Sequence, residues 1–144
     1  MAAYVPSASG RVRDQVALYE ATGGAEGGEL NGLPVVILTT TGATTGAIRK
    51  NPVMKVTDGT DYIAVASYAG GPRNPAWYRN LIADPDALVQ DGPSVIAVHA
   101  REVHGAEKGR LWIAADAAYP PYAQYRAIAG RDIPVLRLVQ PAGK

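Results

Sequence analysis

The sequence predicts a mainly β protein with peripheral helices (α+β), an antiparallel barrel carrying helices. Three observations carry this. About six β-rich runs are bounded by Gly, Pro, Asn and Asp. Only two or three segments show helical spacing, which does not build a βαβ sheet. Asp58-Gly59 is a hairpin signal, and Asp91-Gly92-Pro93 is a second turn between extended runs.

The elements follow in order. Residues 1–8 carry no pattern. Gly10 to Ala21 places Val12, Val16 and Tyr19 at helical spacing, and Gly23-Gly24 ends the helix. Residues 22–32 are a Gly- and Glu-rich loop. Val35 to Thr40 is a strand. Ile48 to Thr57 is a second, with Asn51-Pro52 marking an edge or bulge. Tyr62 to Tyr68 is a third, broken by Gly70-Gly71-Pro72. Asn74 is the predicted N-cap of a helix with Pro75 in its first turn, and Trp77 and Leu81 share a face. Asp84-Pro85 ends it. Ala87 to Gln90 and Val95 to Val103 are strands. Glu107 to Ala118 is a helix, Pro121 opens a further helical turn near Tyr122, Tyr125 and Arg126, and Ile133 to Val139 is the last strand.

With 144 residues the chain is one domain overall: an N-terminal helix and loop over 1–29 and a barrel domain over 30–144. The net charge of +1 supplies no global basic field, so nucleic acid is not an expected partner. The absence of Cys excludes thiolate chemistry, zinc–thiolate sites and disulfides. The eight Tyr and two Trp supply all the aromatics, since there is no Phe, and suit either a semi-polar pocket or partly buried core positions. No apolar run is long enough for a transmembrane helix and no signal peptide is evident, so a cytoplasmic location without stable membrane insertion is expected. Arg11 and Arg13 would be the residues to touch a membrane surface in a peripheral position; an ordinary packed helix explains them better.

Several chemistries are missing. No Gly-x-Gly-x-x-Gly follows a strand, Gly42 to Gly46 lacks P-loop spacing, and no Gly-x-Ser-x-Gly elbow exists. His99 and His104 would face opposite sides of an extended strand, so a metal site is not expected. A pocket of hydroxyls, aromatics and cations without a strong acid–base set suits a protein whose cofactor carries the reaction.

The most informative stretch is Leu38 to Pro52. An apolar strand ends in Thr39-Thr40-Thr41, a turn is bracketed by Gly42 and Gly46, and Arg49-Lys50 opens the next strand. Turn N–H groups brought together by glycines form an anion-binding concavity, and Thr hydroxyls and the cations add to it. An ordinary hairpin with a solvated basic edge reads equally well.

These segments resemble one family. Pro34 to Gly42, Thr45-Gly46 with Arg49 and Asn51-Pro52, Asn74 to Tyr78, Asn80-Leu81, Asp84-Pro85, Ala100-Arg101-Glu102, Tyr119 to Tyr125 and Arg131 to Val135 are similar, in order and spacing, to deazaflavin-dependent nitroreductases, the F420H2-dependent split-β-barrel reductases of mycobacteria and other actinobacteria. The resemblance implies a split β-barrel, related to flavin-mononucleotide-binding barrels, with coenzyme F420 (an 8-hydroxy-5-deazaflavin with an oligoglutamate tail) in a groove. It assigns phosphate and tail to Thr45, Arg49, Lys50, Asn51, Pro52, Val53 and Met54. It runs Val65, Ala66, Ser67 and Tyr68 beside the ring and ribityl chain, and covers the cofactor with Ala76, Trp77, Tyr78, Arg79 and Asn80. Tyr122 approaches the ring, with Tyr119 and Tyr125 nearer the substrate. Because strand side chains alternate, only one of Arg49 and Lys50 is expected to meet the anion. Lys55 and Arg73 are reserve cations or plain surface charges. Ala43 and Thr44 stand where some relatives have basic residues, and Tyr68 where a Lys can occur.

The implied activity is hydride transfer from the reduced deazaflavin to a small electrophile: an activated alkene, an unsaturated lactone such as a coumarin, a quinone or a nitroaromatic. Tyr122, Tyr125 and Ser67 are the candidate catalytic donors to the oxygen that gains charge. The alternatives are a flavin mononucleotide- or haem-binding barrel and a non-catalytic carrier of deazaflavin or fatty acid. The expected assembly is a monomer or homodimer.

Overall fold

The computed structural model describes residues 2–141, so both outer ends of the predicted bounds, 1 and 144, lie outside the described residues. Eight strands and four α-helices follow in the order α1 (Gly10–Thr22), β1 (Glu29–Leu30), β2 (Leu33–Thr41), β3 (Ile48–Met54), β4 (Thr57–Asp58), β5 (Asp61–Val65), α2 (Ala76–Ala83), β6 (Asp86–Asp91), β7 (Ser94–Glu102), α3 (Gly105–Ala118), α4 (Pro121–Ala129) and β8 (Val135–Val139). The strands form one antiparallel curled sheet in the order β1-β2-β6-β7-β8-β5-β4, with β3 hydrogen-bonded to β2.

The curl follows from strands that are apolar on both faces. In β2, Val36 and Leu38 pack with Trp77 and Leu81 of α2 and with Ala64, Val89, Val98, Leu136 and Leu138. The alternate residues Val35 and Ile37 pack with Val16 and Tyr19 of α1, Leu111 and Ala115 of α3, and Tyr122 of α4. A strand's period of two thus divides one run between two cores. One core lies inside the half-barrel under α2, and the other holds α1, α3 and α4 against the sheet.

The helix ends match their local chemistry. Ser9 caps α1 by accepting from the Val12 N–H, and Gly23 ends it in the left-handed conformation (φ 60°). The predicted strand Ile48 to Thr57 divides in two. The Lys55 N–H still donates to the Pro34 carbonyl at 3.0 Å, but the Val56 carbonyl accepts from the Ile63 N–H at 2.9 Å. There the chain changes partner from β2 to β5. The third predicted strand stops at Val65 rather than Tyr68, because Tyr68 to Gly70 turn back in a 3-10 turn of left-handed residues. The predicted cap Asn74 does not cap α2. Its Oδ1 accepts from the Arg131 guanidinium, and Pro75 occupies the cap position. Strand β1, inside the predicted loop 22–32, is short and pairs with the start of β2.

Candidate active site

A cleft of about 1040 Å³ opens between the β2–β3 turn, the end of β5, α2, α4 and the N-terminal segment. Its lining includes Arg11, Arg49, Arg73 and Arg79, and among the described residues no Asp or Glu. Elsewhere many cations are matched: Lys50 with Glu20, Lys55 with Asp91, Arg101 with Glu107, Lys108 with Asp132, Arg126 with Asp116, and Arg137 with Asp58, Asp61 and Glu107. Among the described residues none of the four cleft arginines has a carboxylate partner. An uncompensated cationic cleft concentrates anions.

The turn over residues 42–47 is held from within. The Gly42 N–H donates to the Ala47 carbonyl at 2.7 Å, the Gly46 N–H to the Gly42 carbonyl at 2.9 Å, and the Ala47 N–H to Thr45 Oγ1 at 3.2 Å. The Ala43 N–H donates to Asn80 Oδ1 at 2.9 Å. Four N–H groups expected in an anion concavity are therefore already used. Those of Thr44 and Thr45 have no acceptor among the described residues. Only Gly46 of the bracketing pair takes a positive φ (72°). Gly42 is instead confined by space, since a Cβ there would lie 3.1 Å from Thr45 Oγ1.

On β3, Arg49, Asn51, Pro52, Val53 and Met54 reach the cleft, as does Thr45 before them. Lys50 does not. It points to the opposite face, where its Nζ meets Glu20 at 2.5 Å and sits over the Tyr4 ring. Strand alternation separates the adjacent cations. Lys55 is likewise bound to Asp91, whereas Arg73 lines the cleft. Along β5 and its extension, Val65, Ser67 and Tyr68 line it, while Ala66 turns into the half-barrel core. From α2, Ala76, Trp77, Arg79 and Asn80 contribute. Tyr78 lies on another face of the helix, donating to Glu102 Oε1 at 2.6 Å; burial and that carboxylate push its phenol up to about 12.

Tyr119, Tyr122 and Tyr125 form one aromatic wall, with Trp112 edge-on to Tyr122. Asn31 Nδ2 donates to the Tyr119 hydroxyl at 2.9 Å, which lies 3.0 Å from that of Tyr125. This contact, with burial, raises the Tyr125 phenol to about 12. Burial raises Tyr122 further, so both stay protonated at neutral pH. The Tyr122 and Ser67 side chains are buried, yet among the described residues neither hydroxyl has a partner and no buried side-chain polar atom is stranded. Both hydroxyls therefore keep access to the cleft they line.

Arg126, predicted near Tyr122 and Tyr125, is held by Asp116 at 2.7 Å and stacked on Trp112, the ring that lies edge-on to Tyr122. His99 pairs with Asp86, and His104 precedes α3. Among the described residues no group of three or more His, Cys, Asp or Glu is placed to hold a metal, and no helix is long and apolar enough to cross a membrane.

The family model for F420H2-dependent quinone reductase matches residues 11–140. The chain belongs to this family. An F420H2-dependent quinone reductase of Mycobacterium tuberculosis (strain H37Rv) is 38% identical over 128 residues, covering 86% of each chain. The solved F420-H2 dependent reductase FDR-A is 44% identical, with TM-score 0.69, over 73% of this chain and 93% of that one. A structure described as a domain-swapped dimer is 40% identical, with TM-score 0.71, over 88% of this chain and 95% of its own.

The protein is thus an oxidoreductase with the α+β split-barrel fold, and its family's cofactor is coenzyme F420. The cleft fits such a group. A phosphodiester and a string of carboxylates need fixed cations and donors, and a flat ring needs apolar and aromatic walls. Sequence reasoning missed Ser7, Ser9, Arg11, Val12 and Leu30, which also line the cleft. Their distance in sequence from the turn left no signal. Only pairing of the N-terminal segment with β3, through Val5 N–H to Ile48 carbonyl at 2.9 Å, brings that segment alongside.

Proposed function

We propose that the protein reduces quinones with coenzyme F420 bound in this cleft. One observation carries the reading: the cleft brings four arginines that have no carboxylate partner among the described residues to the same place as the Tyr122 and Ser67 hydroxyls, which have no hydrogen-bond partner among them and stay open to the cleft. The first feature suits a polyanionic tail, the second an oxygen that gains charge.

When bound and reduced, the deazaflavin supplies a hydride. The chain's residues do the rest. Arg49, with the Thr44 and Thr45 N–H groups, binds the phosphate and the start of the tail, and Arg11, Arg73 and Arg79 hold further carboxylates. Thr45, Asn51, Pro52, Val53, Met54, Val65, Ala76, Trp77 and Asn80 form the bed. Tyr122 and Ser67 donate hydrogen bonds to the quinone oxygen as it becomes anionic, while solvent supplies the proton that completes the two-electron reduction. Tyr125 and Tyr119 hold the aromatic wall against the acceptor. Activated alkenes, unsaturated lactones and nitroaromatics fit the same permissive walls.

The test is titration of purified protein with oxidised coenzyme, then turnover of reduced coenzyme with soluble quinones. Binding with turnover is expected. Binding without turnover of any acceptor leaves a carrier, and a bound flavin mononucleotide or haem spectrum replaces the reading altogether.

A further inference from the structure

Arg131, just after the end of α4, places its guanidinium among five acceptors. Nε donates to the Gly71 carbonyl at 3.0 Å, Nη1 to Asn74 Oδ1, and Nη2 to the carbonyls of Ala66, Ser67 and Arg73 at 3.1, 3.0 and 2.9 Å. Among the described residues no carboxylate shares it. Within the loop it grips, Tyr68, Ala69 and Gly70 are consecutive left-handed residues with φ of 49°, 53° and 79°. Two of them carry a Cβ, so the bend is strained and needs outside support. Ile128 of α4 closes on it from the other side, because a Cβ at Gly70 would lie 2.8 Å from Ile128 Cγ1. The bend presents Ser67, Tyr68 and Ala69 to the cleft, and α4 presents Tyr122 and Tyr125. Tyr68 is 63% exposed at the rim.

We propose that Arg131 is a positioning residue: it locks the left-handed bend to the end of α4 and so fixes Tyr68 as the rim aromatic that recognises a planar acceptor. The acceptor's identity rests on the quinone reading above; the clamp does not. Strained loops at binding sites persist only where their surroundings over-determine them. A guanidinium fork can span five acceptors, whereas a lysine ammonium is a point charge with three donors. Tyr68 meets a bound ligand before reaction, so its displacement weakens binding more than turnover.

The experiment compares wild type, Arg131→Ala and Arg131→Lys. Hydrogen exchange in the ligand-free protein reads the Gly70 and Gly71 amides, which donate to the Ser67 and Tyr68 carbonyls at 2.9 Å. Both variants are expected to exchange faster there while the β2 and β6 amides stay protected. The KM for a soluble quinone is expected to rise about tenfold or more with kcat changed less than about threefold. Millimolar guanidinium should restore the alanine variant, and methylammonium should not. Unchanged exchange in the lysine variant overturns the clamp even if the alanine variant fails to fold. Faster exchange with an unchanged quinone KM overturns the recognition role. A wild-type protein that reduces no quinone removes the catalytic reading, and the exchange measurement still decides the clamp.

Discussion

Asn80 and Ala43 are joined across the cleft: the buried Asn80 Oδ1 accepts the Ala43 N–H at 2.9 Å while its Nδ2 donates to Thr40 Oγ1 at 3.0 Å. One amide thus pins the turn over residues 42–47 to α2. A carboxamide both accepts and donates, which an aliphatic residue cannot copy.

Replacing it should therefore cost both stability and cofactor affinity. Asn80→Ala strands the buried Thr40 hydroxyl and frees the Ala43 N–H, and should destabilise by about 1–3 kcal/mol. Asn80→Asp keeps the acceptor but places a negative charge beside the anion seat. It should lower coenzyme affinity further than its loss of stability accounts for. Thermal unfolding and coenzyme titration of the two variants check this.

Tyr122 is predicted to act through its hydroxyl alone. Tyr122→Phe keeps the ring that packs on Tyr119 and Trp112. It should lower kcat/KM by roughly a hundredfold while leaving coenzyme affinity in place. Steady-state kinetics with a soluble quinone is the measurement. An unchanged kcat/KM would leave Tyr122 as packing.

Lys50 separates charge from position. It neighbours Arg49 in sequence but is paired with Glu20 on the opposite face. Lys50→Ala is expected to leave coenzyme affinity within about twofold, as exposed ion pairs contribute little. Titration of this variant beside wild type distinguishes a tail-binding lysine from a structural one.

Acid should loosen the chain through Glu107. Its carboxylate accepts from Arg101 at 2.9 Å and from Arg137 at 3.0 Å. These hydrogen bonds, Arg101's foremost, lower its pKa from 4.5 to about 2. A depressed native pKa gives stability that is present above the unfolded value and lost as pH falls through the folded one. Melting temperature should therefore drop between pH 4.5 and about 2, and Glu107→Gln should flatten that part of the profile. Parallel melts across this window are the check.

Much of the fold is legible because its strands are bounded by strong local signals. The turns at Gly59 and Gly92, the Gly23 helix end and the Pro121 helix start all follow from residues within a few positions. What failed depends on distant partners. Asn74 looks like a cap but is taken by Arg131, and Val56 changes partner to β5. The site divides in the same way. Alternation allowed only one of Arg49 and Lys50 to face the anion, but not which one. Tyr78 and Trp77 are neighbours whose helical rotation sends one to Glu102 and the other to the cleft. The use of the turn's N–H groups by its own carbonyls and hydroxyl and by Asn80, and the arrival of Arg11, are properties of the assembled chain.

On this proposal, arginines in a cleft with no Asp or Glu among its described lining residues hold an anionic cofactor. The most direct test is calorimetric titration of oxidised, glutamate-tailed coenzyme F420 into wild type and the R49Q/R73Q/R79Q variant, each at low and high salt. Tight binding by wild type that weakens with salt, and weaker binding with a shallower salt dependence in the variant, is the predicted result. Equal affinity for both proteins at both salt concentrations would contradict it.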